Sequence, residues 1–246
     1  MTATGIETRP RADEEPLSVV VLISGRGSNL QAIIDDAART SPAAFRLRAV
    51  ISNEPSAPGL GRAKAAGIDT RVVDHRRFAS RLAFDEALAV AVDRFSPGLV
   101  ALAGFMRILG SPFVERFEGR AINIHPSLLP AFPGLDTHAR AIRAKEAADE
   151  EKAGEEAEIK GREVAFHGAT VHFVSAGLDA GPIIARARVP ILDGDDPHSL
   201  AERVLEREHH LLPLVIRWFA ANRLRIEGSQ VLLDDLPALT HPEAPI

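Results

Sequence analysis

Leu17-Ser-Val-Val-Val-Leu-Ile23 runs directly into Ser24-Gly-Arg-Gly-Ser-Asn29, and this junction decides the fold. A short, continuous apolar run rich in β-branched residues suits a strand buried on both faces, as in the middle of a parallel sheet. Glycine then permits a tight turn, and Leu30, Ile33, Ile34 and Ala37 recur at helical spacing. The reading is a strand, a glycine loop and a helix in succession. Free N–H groups at the start of such a helix suit an anion. Leu30 stands where a dinucleotide fingerprint would carry its third glycine, and the Lys-Ser/Thr of a triphosphate loop is missing. A monophosphate is therefore the anion expected. With no ligand, the same residues would serve as a tight turn with Ser or Asn as helix cap.

Outward from this unit the alternation continues. Strands are expected at 45–51, 70–73, 99–103 and 121–124, and helices at 59–66, 77–95 and 112–117. In the 77–95 helix, Phe78, Leu82, Ala83, Leu88 and Val92 are available for one face. Strands alternating with helices predict an α/β fold: a doubly wound, mostly parallel sheet with helices on both faces. Beyond a proline-punctuated loop at 126–134, a helix is expected at 137–148. Two strands at 165–174 and 182–189 form an antiparallel pair at a sheet edge in the C-terminal half. The longest helix spans 197–220, with Pro197 near its first position, Asp195 or Asp196 as cap, and a kink at Pro213. Residues 223–233 read as a hairpin turning at Glu227-Gly228-Ser229. The domain reading is a disordered leader at 1–16, one domain at 17–227 and a tail at 228–246. The charged stretch at 146–163 is read as a solvated helix extension or mobile insertion.

Composition removes several function classes. The 246 residues are 46% hydrophobic, enough for a full core. A net charge of −5 argues against a general affinity for nucleic acid. With no cysteine there can be no disulfide scaffold, thiolate metal site or cysteine nucleophile. No apolar run reaches the ~20 residues of a membrane span, and the first residues lack a signal-like apolar region. A soluble, cytoplasmic protein is expected.

Chemistry concentrates at Asn123-Ile-His125-Pro126, where a core strand ends. Residues two apart share a strand face, so the Asn123 amide and the His125 imidazole point into one space. Together they can bind and protonate an oxygen that gains negative charge. Asp179, in Leu178-Asp-Ala-Gly-Pro182, is either a turn residue or the group that orients His125. His138, His167 and His172 could be ligands, but no His-x-x-x-His pair with a nearby carboxylate makes a metal site, so no metal is expected.

In order, Ser24-Gly-Arg-Gly-Ser-Asn-Leu-Gln31, Gly104-Phe-Met-Arg-Ile-Leu109, Asn123-Ile-His-Pro-Ser-Leu-Leu-Pro130, Pro133-Gly134 with Thr137-His138, and Leu178-Asp179 with Gly181-Pro-Ile-Ile184 resemble the phosphoribosylglycinamide formyltransferases. The match spans roughly 18–224 in consistent order. The resemblance implies formyl transfer from 10-formyltetrahydrofolate, the co-substrate, to the amine of 5′-phosphoribosylglycinamide in purine synthesis. It implies Asn123, His125 and Asp179 as the catalytic trio, and no metal. Gly27, Ser28 and Asn29 would cradle the ribose 5′-phosphate, and Glu208 would bind the ribose. Arg81, Met106, Arg107, Ile108, Leu109, Asn123 and the segment Ser175, Ala176, Gly177, Leu178 and Asp179 align with the folate pocket. Partners would be small-molecule substrates, with no nucleic acid and no membrane, in a monomer or homodimer.

This chain departs from the family at the acidic stretch around 146–163, at Ala131, where a basic residue is usual, and at Asp136, where a histidine is common. Methionyl-tRNA formyltransferases and formyltetrahydrofolate hydrolases have a similar Asn-x-His core. The first would need a basic C-terminal RNA-binding domain and the second an N-terminal regulatory domain. A phosphate-binding module without catalysis is the alternative from a different class.

Overall fold

The computed structural model describes residues 15–39, 43–150, 165–234 and 236–237. The expected leader, apart from its last two residues, and the charged stretch beyond Glu150 lie outside them.

Strand β1 (Leu17–Ile23) is the axis of a seven-stranded sheet. It pairs in parallel with β2 (Phe45–Ser52) on one side and β4 (Leu99–Leu102) on the other. Strand β3 (Asp69–Val72) extends the β2 side, and β5 (Ala121–His125) extends the β4 side, both in parallel. Strands β6 (Phe166–Phe173) and β7 (Ile183–Pro190) complete the edge in antiparallel sense, giving the order β3-β2-β1-β4-β5-β6-β7. This is the doubly wound sheet with an antiparallel edge that the alternating pattern predicts.

Alternate side chains of β1 explain why both faces need helices. Val19, Val21 and Ile23 join one core layer with residues of α1 (Ser28–Arg39), α2 (Gly59–Ala65) and α6 (Pro197–Ala220). Val20 and Leu22 join the other with α3 (Arg81–Asp93) and α4 (Ser111–Arg116). Helix α5 (Thr137–Glu150) buries Ala141 in the first layer and ends two residues beyond the expected Ala148. Helix α6 starts at Pro197 under an Asp196 capping box with Ser199, and continues through Pro213 to Ala220. The hairpin of β8 (Leu224–Glu227) and β9 (Gln230–Leu233) turns at Gly228 and buries Val231 in the same layer, which carries packed structure past residue 227. Strand β10 (Leu236–Pro237) pairs with β9.

Helix α3 differs from expectation. Asp74 caps a 3₁₀ turn at His75–Arg77, and Ser80 then accepts from the Ala83 N–H and starts a new helix. The helix starts at Arg81, and its buried face is Phe84, Asp85, Leu88, Ala89 and Val92, which keeps the expected Leu88 and Val92 and leaves Leu82 exposed. Asp85 thus enters the protein interior, where its Oδ2 accepts from the Gly110 N–H at 2.8 Å. Gly110 is the N-cap of α4, so this carboxylate fixes where Met106–Leu109 ends and α4 begins. Burial pushes the Asp85 carboxyl above its ordinary range; the Gly110 N–H and the Arg81 and Arg107 charges oppose the shift.

The first parallel strands place the β1 and β4 loops side by side at the point where chain direction across the sheet reverses, the place where such sheets bind ligands. Ser24, after β1, accepts from the Met106 N–H at 2.7 Å and donates to Asn53 Oδ1, tying the two loops together. Replacing Asp85 by Ala leaves the Gly110 N–H unpaired in the interior, so unfolding free energy in denaturant titration is expected to fall by about 1–3 kcal/mol. Asp85→Asn keeps an acceptor oxygen there and should lose clearly less; equal losses for both variants would count against this contact.

Candidate active site

The glycine loop is held by close backbone packing. A Cβ on Gly27, whose φ is +73°, would come within 2.7 Å of the Gly59 Cα. The Gly59 N–H donates to the Gly25 carbonyl, and the Arg62 guanidinium donates to the Arg26 carbonyl. The loop therefore reaches the start of α1 as a rigid arch with Ser28 half-buried at its end. Asn29, buried in the first turn, donates its amide to Glu208 Oε2 on α6 at 2.6 Å, across 179 residues of sequence. Burial pushes the Glu208 carboxyl above its ordinary range, and the Asn29 hydrogen bond draws it back.

The other half of the site grows from β5, which is covered by neighbours on both sides. Register puts Asn123 opposite His172 of β6, and the Asn123 amide Nδ2 lies 3.1 Å from His172 Nε2. His172 Nδ1 lies 2.9 Å from the Phe173 carbonyl, so the proton belongs on Nδ1, and Nε2 accepts from Asn123. Burial lowers the His172 pKa and keeps that neutral form; the Phe173 carbonyl and Asp179 oppose it.

His125 closes the strand, buried. Its Nε2 donates to the Phe132 carbonyl at 3.0 Å, and its Nδ1 faces Asp179 Oδ2 at 3.4 Å. Both ring nitrogens thus meet oxygen acceptors. Asp179 Oδ2 also accepts from the Gly134 N–H at 2.9 Å, and Oδ1 is 3.8 Å from His172 Nε2. Asp179 reaches this position because the 175–181 turn folds tightly onto the end of β6: a Cβ on Gly181 would sit 1.8 Å from the Phe173 carbonyl oxygen. Asp179 itself has φ of +49°, a conformation Asp tolerates better than most residues.

A cavity of about 780 Å³ opens over these groups, a size ordinary for a small-molecule site. Met106, Ile108, Leu109 and Leu178 supply an apolar wall, Arg81 and Arg107 supply cations, and Asn123, His125 and Asp179 supply the polar groups. Met106 is 67% exposed and Ile108 53%, so this wall presents uncovered apolar surface. Ser175 and Gly177 line the cavity too, whereas Ala176 in the same turn is not part of its wall. Gly27, Ser28 and Asn29, on the loop that Ser24 ties to Met106, and Glu208, on α6, stand outside this cavity wall. Asp136, one of the departures from the family pattern, lines the cavity as well. Among the described residues no group of His, Asp and Glu could hold a metal ion.

The 126–136 loop beside the cavity is pinned from below. The buried Thr170 hydroxyl donates to the Ser127 carbonyl at 2.6 Å and accepts from the Leu129 N–H, while the Ser127 hydroxyl donates to the Ala131 carbonyl. Phe132 packs edge-on against His167, which in turn packs edge-on against His138. Sequence reasoning missed Asp85 and Thr170, and named His172 only as a possible metal ligand, not as the partner of Asn123. Period-two alternation along 166–173 puts Thr170 and His172 on one face, but their partners became visible only when β6 was set beside β5.

Burial pushes His167 down to about 4, with His138 and His125 adding to the shift. An unfolded chain takes up this proton near pH 6.5, so the folded chain loses stability as pH falls from 6.5 towards 4, by up to roughly 3 kcal/mol. Denaturant titrations at pH 7 and pH 4.5 should show His167→Gln losing less of its own stability over that interval than the unaltered chain loses. An unchanged pH dependence would mean that this ring is not held neutral.

Known proteins are similar to this chain in sequence and fold. A family model described as formyl transferase matches residues 17–216. The phosphoribosylglycinamide formyltransferase of Escherichia coli K12 is 46% identical over 218 residues, covering 89% of this chain and 94% of the relative. The human trifunctional purine biosynthetic protein adenosine-3 is 39% identical over 87% of this chain, a span that is 19% of that protein. Among solved structures, the phosphoribosylglycinamide formyltransferase of Coxiella burnetii superposes with a TM-score of 0.78 at 46% identity, covering 91% of this chain and 96% of that one. The chain belongs to the formyl transferase family.

Proposed function

We propose that the chain transfers the formyl group of 10-formyltetrahydrofolate to the amine of 5′-phosphoribosylglycinamide, a step of purine biosynthesis. One observation carries the reading: Asn123, His125 and Asp179 meet in the wall of one cavity, at the sheet edge where the anion-suited loop after β1 also lies. The relatives' names support the same substrates.

The cavity fits the folate in chemistry. Met106, Ile108, Leu109 and Leu178 suit a flat aromatic ring, and Arg81 with Arg107 suits the carboxylates of its tail. When bound, the folate supplies an activated formyl carbon. The protein's own residues then act on charge and protons. Asn123 spends one amide hydrogen on His172, which fixes the plane of the amide and leaves its second hydrogen for the formyl oxygen. The His125 Nε2–H now on the Phe132 carbonyl is the second donor, passed to that oxygen as negative charge develops. Asp179 stabilises the charged ring through Nδ1 and accepts the proton that the attacking amine must lose, for return to the departing folate nitrogen. Gly27, Ser28 and Asn29 hold the phosphate at the start of α1, and Glu208 reads the ribose hydroxyls. The chain acts in the cytoplasm on small molecules, as a monomer or homodimer.

A spectroscopic assay of the purified protein with 10-formyl-folate tests this directly. Turnover that requires phosphoribosylglycinamide is expected; equal turnover without the amine would make the chain a hydrolase instead. His125→Ala should lower kcat by about 10²–10³-fold, the usual loss for one donor to a developing oxyanion, with sugar-phosphate binding retained. Lost binding with an intact chemical step would contradict the role given to His125.

A further inference from the structure

Asn29 stands in the anion loop, yet its side chain does not point outward as a phosphate donor would. Its Nδ2 is committed to Glu208 Oε2 at 2.6 Å, and both residues are buried, at 7% and 6% exposure. Its Oδ1 is buried with no hydrogen-bond partner. A buried carboxylate needs a donor, and a charge-assisted hydrogen bond of this length constrains both side chains strongly. The rest of the loop is fixed separately, by Gly59 and Arg62 acting on the Gly25 and Arg26 carbonyls. The bridge is therefore not needed to shape the glycine arch. What it does fix is the orientation of the Glu208 carboxylate, through its Oε2.

We infer that Asn29 is a positioning residue for sugar recognition: by holding Glu208 across the gap between α1 and α6, it sets the carboxylate that selects ribose hydroxyls, while the loop's backbone N–H groups and Ser28 hold the phosphate. This rests on the substrate assignment above and refines it. It divides the phosphate loop into two functions, anion capture by the backbone and hydroxyl selection through one side chain.

The test compares phosphoribosylglycinamide with its 2′-deoxy and 3′-deoxy counterparts, using the full chain and its Asn29→Ala, Glu208→Ala and doubly substituted forms. For Asn29→Ala, KM for the ribose substrate should rise about 10-fold or more, the range for losing a hydrogen bond to a charged group, with kcat and the folate KM unchanged. The preference for ribose over the deoxy sugars should shrink towards unity, and the double variant should be no worse than Glu208→Ala alone. Additive losses with the hydroxyl preference intact would overturn the proposal and return Asn29 to direct phosphate binding. A general fall in kcat and in folate affinity would also overturn it, as the mark of a merely structural bridge. Should Asn29→Ala not fold, Asn29→Ser, too short to reach Glu208, is read by the same criteria. Failure of the unaltered chain to use phosphoribosylglycinamide at all would sink the substrate assignment, whereas normal turnover with additive variants sinks only this inference.

Discussion

Asp179 is the group on which the site's assembly depends. Its carboxylate reaches the last residue of β5, the neighbouring β6 and the loop at Gly134, through contacts to His125, His172 and the Gly134 N–H. A carboxylate this enclosed must be answered by donors, because its lost hydration is not otherwise replaced. Its demand for donors therefore orders the very loop that borders the cavity. The same side chain that meets the His125 Nδ1 also holds the loop that closes the wall around it, so geometry and electrostatics are not separate devices here.

The scaffold makes this possible by burying the strands that carry the groups. Strand β1 sends alternate side chains into two core layers, and β4 and β5 repeat the pattern, so the edge formed by their C-terminal ends moves as one unit. Two loops then leave that edge together. Ser24 accepts from the Met106 N–H, while Asp85 accepts from the Gly110 N–H at the far end of the same segment. The apolar wall from Met106 to Leu109 is thus suspended between two hydrogen bonds, one from the sheet edge and one from α3. An exposed apolar surface held this rigidly keeps its shape without a ligand to cover it, which lowers the ordering cost of binding.

Local chemistry made much of this readable before any coordinates. The unbroken run 17–23 suits a doubly buried strand, and Pro197 after Asp195 or Asp196 marks the start of α6, where Asp196 proves to be the cap. Period two alone placed Asn123 and His125 together. Other features needed contacts between distant segments. Asp74 and Ser80 are both good caps, and the start of α3 at Arg81, with the burial of Asp85, depends on which face meets the sheet. Glu208 likewise reads as an exposed residue on α6 until Asn29 arrives from the other end of the chain. His172 resembles any strand histidine until the antiparallel register sets it across from Asn123.

Three histidines whose charges would act on His125 pose a problem, and burial resolves it. Were His138, His167 and His172 all protonated, their charges would repel one another and any proton on His125. Desolvation holds all three below the ordinary histidine range, His167 most strongly. Neutral rings can then serve as shape and as acceptors: His167 backs Phe132, and His172 takes one hydrogen from Asn123. His125 meets an acceptor at each ring nitrogen, the Phe132 carbonyl and Asp179. With the neighbouring rings kept neutral by burial, the polar partners of Asp179 are His125, His172 and the Gly134 N–H, not a crowd of like-charged imidazoles.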